Sequence, residues 1–147
     1  MLFVIGNGGL YATALHFTAE LTGKFAFPVY IPCVTLGNPA EITALSNDIG
    51  YENAFAHLLN VQSKKGDTLI VLTTSKLSKE DSHSQNLFKA IEVAKSKGLY
   101  LIIYDADNLV GETTQEKQED CIRKLHKLAH DLKKGIWDSL HQEKKVV

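Results

Sequence analysis

A chain of 147 residues, 44% hydrophobic and 22% charged, is long enough to bury a core and has the balance of one compact globular domain spanning residues 1–147. Its 16 basic and 17 acidic residues give a formal net charge of −1 and are scattered along the sequence, which excludes a broad basic surface and with it a nucleic-acid partner. Cys33 and Cys121 stand far apart with no C-x-x-C spacing, which excludes a disulfide framework and a cysteine zinc knuckle and points to reduced thiols in the cytoplasm.

In chain order, the apolar run Leu2–Ile5 ends at Gly6, the pattern of a strand buried on both faces of a parallel sheet. The run is too short for a signal peptide, and no stretch approaches the roughly 20 apolar residues that cross a bilayer, so a soluble protein with no membrane partner is expected. Leu10–Thr22 lacks Gly and Pro and sets Leu10, Ala14, Phe17 and Leu21 at helical spacings. Val29–Leu36 reads as a second strand despite Pro32, and Gly37-Asn38-Pro39 as a turn. Helices are expected over Ala40–Ser46 and Glu52–Gln62, around a loop at Asn47-Asp48-Ile49-Gly50.

Thr68–Leu72 is the clearest strand in the chain, followed by a hydroxyl-rich loop over Thr73–Ser78. Ser84–Lys97 carries Leu87, Ile91 and Ala94 on one helical face and stops at Gly98, and Leu99–Tyr104 supplies the next strand. From Thr113 onward Ile122, Leu125, Leu128, Leu132, Ile136 and Leu140 step by three or four along one long amphipathic helix. Gly135 is a weak point in it, and Glu143–Lys145 is expected to fray. Strands alternating with helices in this way define an α/β fold, a doubly wound parallel sheet that binds its ligands beyond the strand carboxyl ends.

Three features could carry chemistry. Gly6-Asn7-Gly8-Gly9 joins the first strand to the first helix, where backbone N–H groups can meet an anion; a turn that simply needs glycine reads equally well. The hydroxyls of Thr73, Thr74, Ser75 and Ser78 follow a strand and could ring a phosphate, or merely solvate the loop and cap the next helix. His16 and Glu20 lie four residues apart, about 40° around a helix axis, and Gln118 and His126 eight apart, about 80°. Each pair can share a metal ion, and each pair alone is also an ordinary surface hydrogen bond.

Gly6-Asn7-Gly8-Gly9, the run from His16 to Phe25 (HFTAELTGKF) and the run Asn47-Asp48-Ile49-Gly50-Tyr51 resemble, in residues, order and spacing, the sedoheptulose 7-phosphate isomerase family. Thr73–Ser78 falls at that family's phosphate loop, and Gln118-Glu119 with His126 falls where its last helix carries Gln-Glu and, eight residues after the Gln, His. The resemblance covers nearly the whole chain and implies a three-layer α/β/α SIS fold. It further implies a cytoplasmic homo-oligomer, tetramer or dimer, that acts on a sugar phosphate. By resemblance, His16, Glu20, Gln118 and His126 hold a zinc ion. Glu20 and His126 are the catalytic acid/base pair, and Asn7, Gly8, Gly9, Asn47, Asp48, Thr73, Thr74, Ser75, Ser78 and Gln118 contact substrate. The implied reaction converts sedoheptulose 7-phosphate to D-glycero-D-manno-heptose 7-phosphate, towards the heptose of lipopolysaccharide.

The chain departs from the family pattern at four places. Lys76-Leu77 stands for Gly-Asn in the phosphate loop, and Leu10 stands for a serine that touches phosphate. The chain also begins directly at the first strand, and the stretch from Asp107 to Gln118 is about one strand short, so the sheet should lack its last strand. These departures keep a second reading open, a non-catalytic phosphosugar-binding or protein-interaction module like the SIS-fold partner of the bacterial replication initiator. That relative lacks the equivalents of Glu20 and His126, and this chain has both.

Overall fold

The computed structural model describes residues 1–81 and 83–142; the expected fraying of Glu143–Lys145 lies outside them. Nine elements follow in chain order: β1 (Leu2–Gly6), α1 (Gly9–Thr22), β2 (Cys33–Thr35), α2 (Pro39–Ile49), α3 (Tyr51–Gln62), β3 (Thr68–Leu72), α4 (Gln85–Lys97), β4 (Tyr100–Tyr104) and α5 (Thr114–Gln142). The four strands pair in parallel in the order β2-β1-β3-β4. The order reverses at β1 and β3, the place where a doubly wound sheet opens a crevice for ligands.

Strand side chains alternate between the two faces, and each face finds its own helices. Val4, Ile70 and Leu72 pack with Leu10, Ala14, Phe17 and Leu21 of α1 and Cys121, Leu125 and Ala129 of α5. Phe3, Ile5, Leu69 and Val71 pack on the opposite face with Phe55, Leu58 and Leu59 of α3 and Leu87, Ala90, Ile91 and Ala94 of α4. Each large side chain so buried is worth about 1.5–3 kcal/mol against solvent exposure, which is why the strands read as unbroken apolar runs. α1 with α5, and α2–α4, thus form the outer layers of a three-layer fold.

Four expectations need correcting or sharpening. The second strand covers Cys33–Thr35 rather than Val29–Leu36: Pro32 has no N–H to give a ladder and offers only its carbonyl, to Leu2 N at 3.3 Å. Residues just before it turn to α1 instead, with Ile31 N donating to Leu21 O at 2.9 Å. Asn47 and Asp48 sit on the last turn of α2 and not in a loop, because Asn38 and Glu41 cap its start reciprocally and Gly50, at φ 89°, is the first residue that breaks it. No break occurs at Gly135, around which the backbone is unobstructed.

The apolar face of α5 is also rotated from its expected position. Cys121, Leu125, Ala129 and Lys133, four residues apart, form the buried row, whereas Ile122, Leu132, Ile136 and Leu140 are exposed. α1 ends at Thr22, level with Lys133, so the last turns of α5 run past it. Beyond that point Trp137 packs on Phe27, ring centroids 6.1 Å apart. After β4 the chain turns through Asp105–Asn108 and enters α5, so among the described residues no fifth strand follows. In its place Asp120 accepts from Val110 N at 2.8 Å and pairs with Lys124 and Arg123, pinning the connection to the helix.

Candidate functional site

The helical spacing of His16 and Glu20 brings both onto one side of α1, and the packing of α5 across it adds His126. Their ligand atoms all lie within 4.8 Å of one another. Glu20 Oε1 meets His16 Nε2 at 2.9 Å and His126 Nδ1 at 2.6 Å. The two imidazoles stand edge to face, 5.2 Å between centroids. The carboxylate is only 8% exposed, while both imidazoles reach solvent.

Glu20 Oε2 is buried without a hydrogen-bond partner. A buried, unsatisfied polar atom costs on the order of 1–3 kcal/mol, more when the group is charged, so its environment favours a cation. Two imidazole nitrogens and a carboxylate oxygen are the donor set of a three-ligand divalent metal site with an open position. The residues therefore fit a metal ion.

Lys133 lies near enough to Glu20 for their charges to interact. Its fully buried ammonium donates to Gly23 O at 2.5 Å and Phe25 O at 3.1 Å, and burial pushes its pKa down against the opposing pull of Glu20. The clamp holds the turn after α1, whose Phe25 ring lies 6.0 Å from the ring of His126.

Gln118 meets the start of α1. It lies two helical turns before His126, against the glycine turn, where a Cβ on Gly9 would come within 3.1 Å of its Oε1. Glycine at that position lets α5 approach the start of α1. An open cleft of about 400 Å³ runs from Gly9 past Ala12 and Thr13 to His16 and His126, with Ile122 as its wall.

The other side of the glycine turn faces α3 and α4. Asn7 exchanges two hydrogen bonds with Asn86, at 2.7 and 3.1 Å, and its Oδ1 also accepts from the Tyr51 hydroxyl at 2.9 Å. Gly8, at φ 56°, bends the chain so that Asn7 faces this way. A cavity of about 230 Å³ opens beside it, bounded by Gly8, Tyr11, Pro39, Ile42, Tyr51 and Phe55. The Tyr11 hydroxyl donates to Gly37 O across its rim.

Pairing of Gly6 with Leu72 sets Thr73 beside Asn7 at the strand ends. Two hydroxyls of the loop that begins there accept from nearby backbone N–H groups. Thr73 is buried, and its Oγ1 accepts from Ser75 N at 3.2 Å; Ser78 Oγ accepts from Asp81 N at 3.1 Å; Thr74 is half-buried and Ser75 exposed. Lys76 pairs with Asp107 at 3.2 Å on the surface. Asn47 and Asp48 do not join the site: both are exposed on α2, Asn47 Nδ2 donating to Asp48 at 3.0 Å, and neither lines the cavity beside Asn7.

Asn86, Lys133 and Tyr11 are the positioning groups that sequence patterning misses. A lysine at one end of a polar-rich helix and an asparagine at the start of another read as solvated residues, since no local period marks a polar side chain that is satisfied by a distant segment.

Fold and cluster together define a doubly wound α/β protein that carries a helix-borne His/Glu/His group beside the crevice of its sheet. No family model matches the chain. It is 36% identical over 100 residues to the phosphoheptose isomerase of Sodalis glossinidius, covering 67% of this chain and 48% of that protein. Against the Vibrio cholerae phosphoheptose isomerase the identity is 39% over 99 residues, 66% and 48% of the two chains. Phosphoheptose isomerase structures from Neisseria gonorrhoeae (TM-score 0.74, 25% identity, 91% of this chain and 76% of that one) and Francisella tularensis (0.76, 25%, 87% and 73%) share the fold. In sequence and in fold the chain is similar to phosphoheptose isomerases, and it spans about half the length of the relatives it matches in sequence.

Proposed function

We propose that the chain is a sugar-phosphate isomerase that converts sedoheptulose 7-phosphate to D-glycero-D-manno-heptose 7-phosphate in the cytoplasm, as a homo-oligomer. The buried Glu20 carboxylate, flanked by two imidazoles with one oxygen unspent, carries this reading. Ketose–aldose isomerisation moves a proton between C1 and C2 and needs a base beside the carbon acid and an electrophile at the developing oxyanion. Glu20 is the base: its Oε1 faces the imidazoles and its Oε2 is free to take a proton. His126, partly open to the cleft, is the complementary acid/base on the substrate oxygens.

His16, Glu20 and His126 would hold a zinc ion, with Gln118 as a further donor. Zinc there supplies Lewis acidity at the oxygen that gains negative charge. The glycine turn and the Thr73–Ser78 loop, side by side at the ends of β1 and β3, would receive the phosphate and the chain hydroxyls through Asn7, Gly8, Gly9, Thr73, Thr74, Ser75 and Ser78. The exposed Asn47 and Asp48 would contribute only if the assembled oligomer brings α2 to the substrate.

The test is metal analysis of the purified protein together with a proton-NMR assay of sedoheptulose 7-phosphate turnover. About one zinc per chain and formation of the aldose are expected. Metal-free protein that binds the sugar phosphate without converting it would overturn the catalytic reading in favour of a binding module.

A further inference from the structure

Asn86 is 2% exposed and sits in the first turn of α4, where a polar side chain must be paired or is costly. Among the described residues its side-chain partner is Asn7, and the bonding is reciprocal: Asn86 Nδ2 donates to Asn7 Oδ1 at 2.7 Å, and Asn7 Nδ2 donates to Asn86 Oδ1 at 3.1 Å. The Tyr51 hydroxyl gives Asn7 Oδ1 a second donor at 2.9 Å. A carboxamide has two acceptor lone pairs and two N–H donors. Both lone pairs of Asn7 are filled and one donor is used, which leaves a single N–H at the mouth of the crevice. We propose that Asn86, with Tyr51, is a positioning residue that fixes Asn7 as a one-way donor, so that this corner of the site takes an acceptor oxygen of the ligand, a carbonyl or a phosphoryl oxygen, and not a hydroxyl acting as donor.

The arrangement also ties the glycine turn to the helix that follows the Thr73–Ser78 loop, so the two ligand-facing segments are set relative to each other by one side-chain pair. Asn86→Asp is nearly isosteric, but it places a second acceptor where the Asn86 Nδ2 now stands and pushes Asn7 Oδ1 away. Asn7→Asp keeps the two donors that reach Oδ1, from Asn86 and from Tyr51, but removes the free N–H together with the one given to Asn86 Oδ1.

This inference rests on the reading of the site as a sugar-phosphate site, and calorimetric titration of the zinc-loaded full chain with sedoheptulose 7-phosphate separates the two. Wild type is expected to bind, with Asn86→Asp and Asn7→Asp each weakening binding at least about tenfold, the loss of a well-placed bond to a charged or polar oxygen. Tyr51→Phe should weaken it about two- to threefold. Both variants lose a bond of the buried pair and should lower the thermal midpoint, so the discriminating readout is zinc content, which should stay at the wild-type level while affinity falls; a merely structural loss would lower both. Asn7→Asp remains informative if Asn86→Asp fails to fold. No binding by wild type overturns the sugar-phosphate reading and this inference with it; wild-type binding matched within twofold by Asn7→Asp or by folded Asn86→Asp overturns the positioning role alone.

Discussion

The His16–Glu20–His126 cluster and the Thr73–Ser78 loop flank the same glycine turn, yet one is held by two packed helices and the other by its own hydroxyls. The cluster rests on Phe17, Leu21, Leu125 and Ala129, all buried, and Lys133 clamps the turn that follows α1. The loop has only Thr73 buried; Ser75 N and Ser78 Oγ bond within the loop and its near neighbours, and the exposed Lys76 pairs with Asp107 on the surface. Groups that must act on a reacting carbon gain from rigid support. Groups that admit and release a charged tail gain from being open. Under the proposed function the helices would carry the chemical step and the loop the ligand's entry, and this contrast ranks what substitutions should do.

The largest effect belongs to Glu20. Glu20→Gln keeps the shape and one oxygen but removes the charge and the base, so isomerase turnover should fall at least about 100-fold and zinc content should drop in metal analysis. Circular dichroism should stay native, since the amide can still accept from His126. Turnover within a few-fold of wild type would erase the contrast between a working cluster and a passive loop.

An intermediate effect is expected at Asp120, which supports the cluster from the outside by fastening the connection before α5. Hydrogen bonds from Arg123, Val110 N and Lys124 hold its carboxyl well below the usual carboxylate range. Because its folded pKa is depressed, the stabilisation is fully present above the ordinary carboxylate value, near about pH 4, and is lost as pH falls further. Asp120→Asn should cost about 1–3 kcal/mol at neutral pH, read by urea unfolding. It should also flatten the decline in stability between neutral and acid pH; a decline as steep as that of wild type would shift that role to other carboxylates such as Asp67, which is likewise depressed.

The same contrast explains what could be read from the sequence. Apolar runs such as Leu2–Ile5 and Thr68–Leu72 announce buried parallel strands, and the spacing of His16 and Glu20 puts them together, because a helix converts sequence distance into spatial distance by a fixed rule. His126 needed the packing of α5 on α1, which no local pattern encodes, and only a family resemblance linked it to the other two. The face of α5 was misjudged for a related reason. Apolar residues such as Ile136 and Leu140 suggest a core-facing row, but the helix outruns α1 and the buried row ends in a lysine. Asn47 and Asp48, taken as loop residues because Asn and Asp favour turns, stay helical because the capping box starts α2 firmly and only Gly50 stops it. Loop chemistry such as Lys76 with Asp107 was legible only as composition.

The smallest effect is therefore expected in the loop, at the residue that departs most from the family pattern. Lys76 is largely exposed and already paired with Asp107 at 3.2 Å, so its net charge at the loop is partly cancelled and screened by solvent. An exposed pair of this kind contributes up to about 1 kcal/mol, so Lys76→Ala should weaken sugar-phosphate binding by no more than about fivefold and leave the chemical step unchanged. Asp107→Ala, which frees the ammonium, should tighten binding by a similar factor, and both changes should fade as salt rises. Opposite signs for the two variants would identify Lys76 as a phosphate-steering cation held in check by Asp107. A Lys76→Ala loss of 100-fold would instead make the loop as decisive as the helices, because a single exposed ammonium cannot carry that much unless the loop folds over the ligand and buries it.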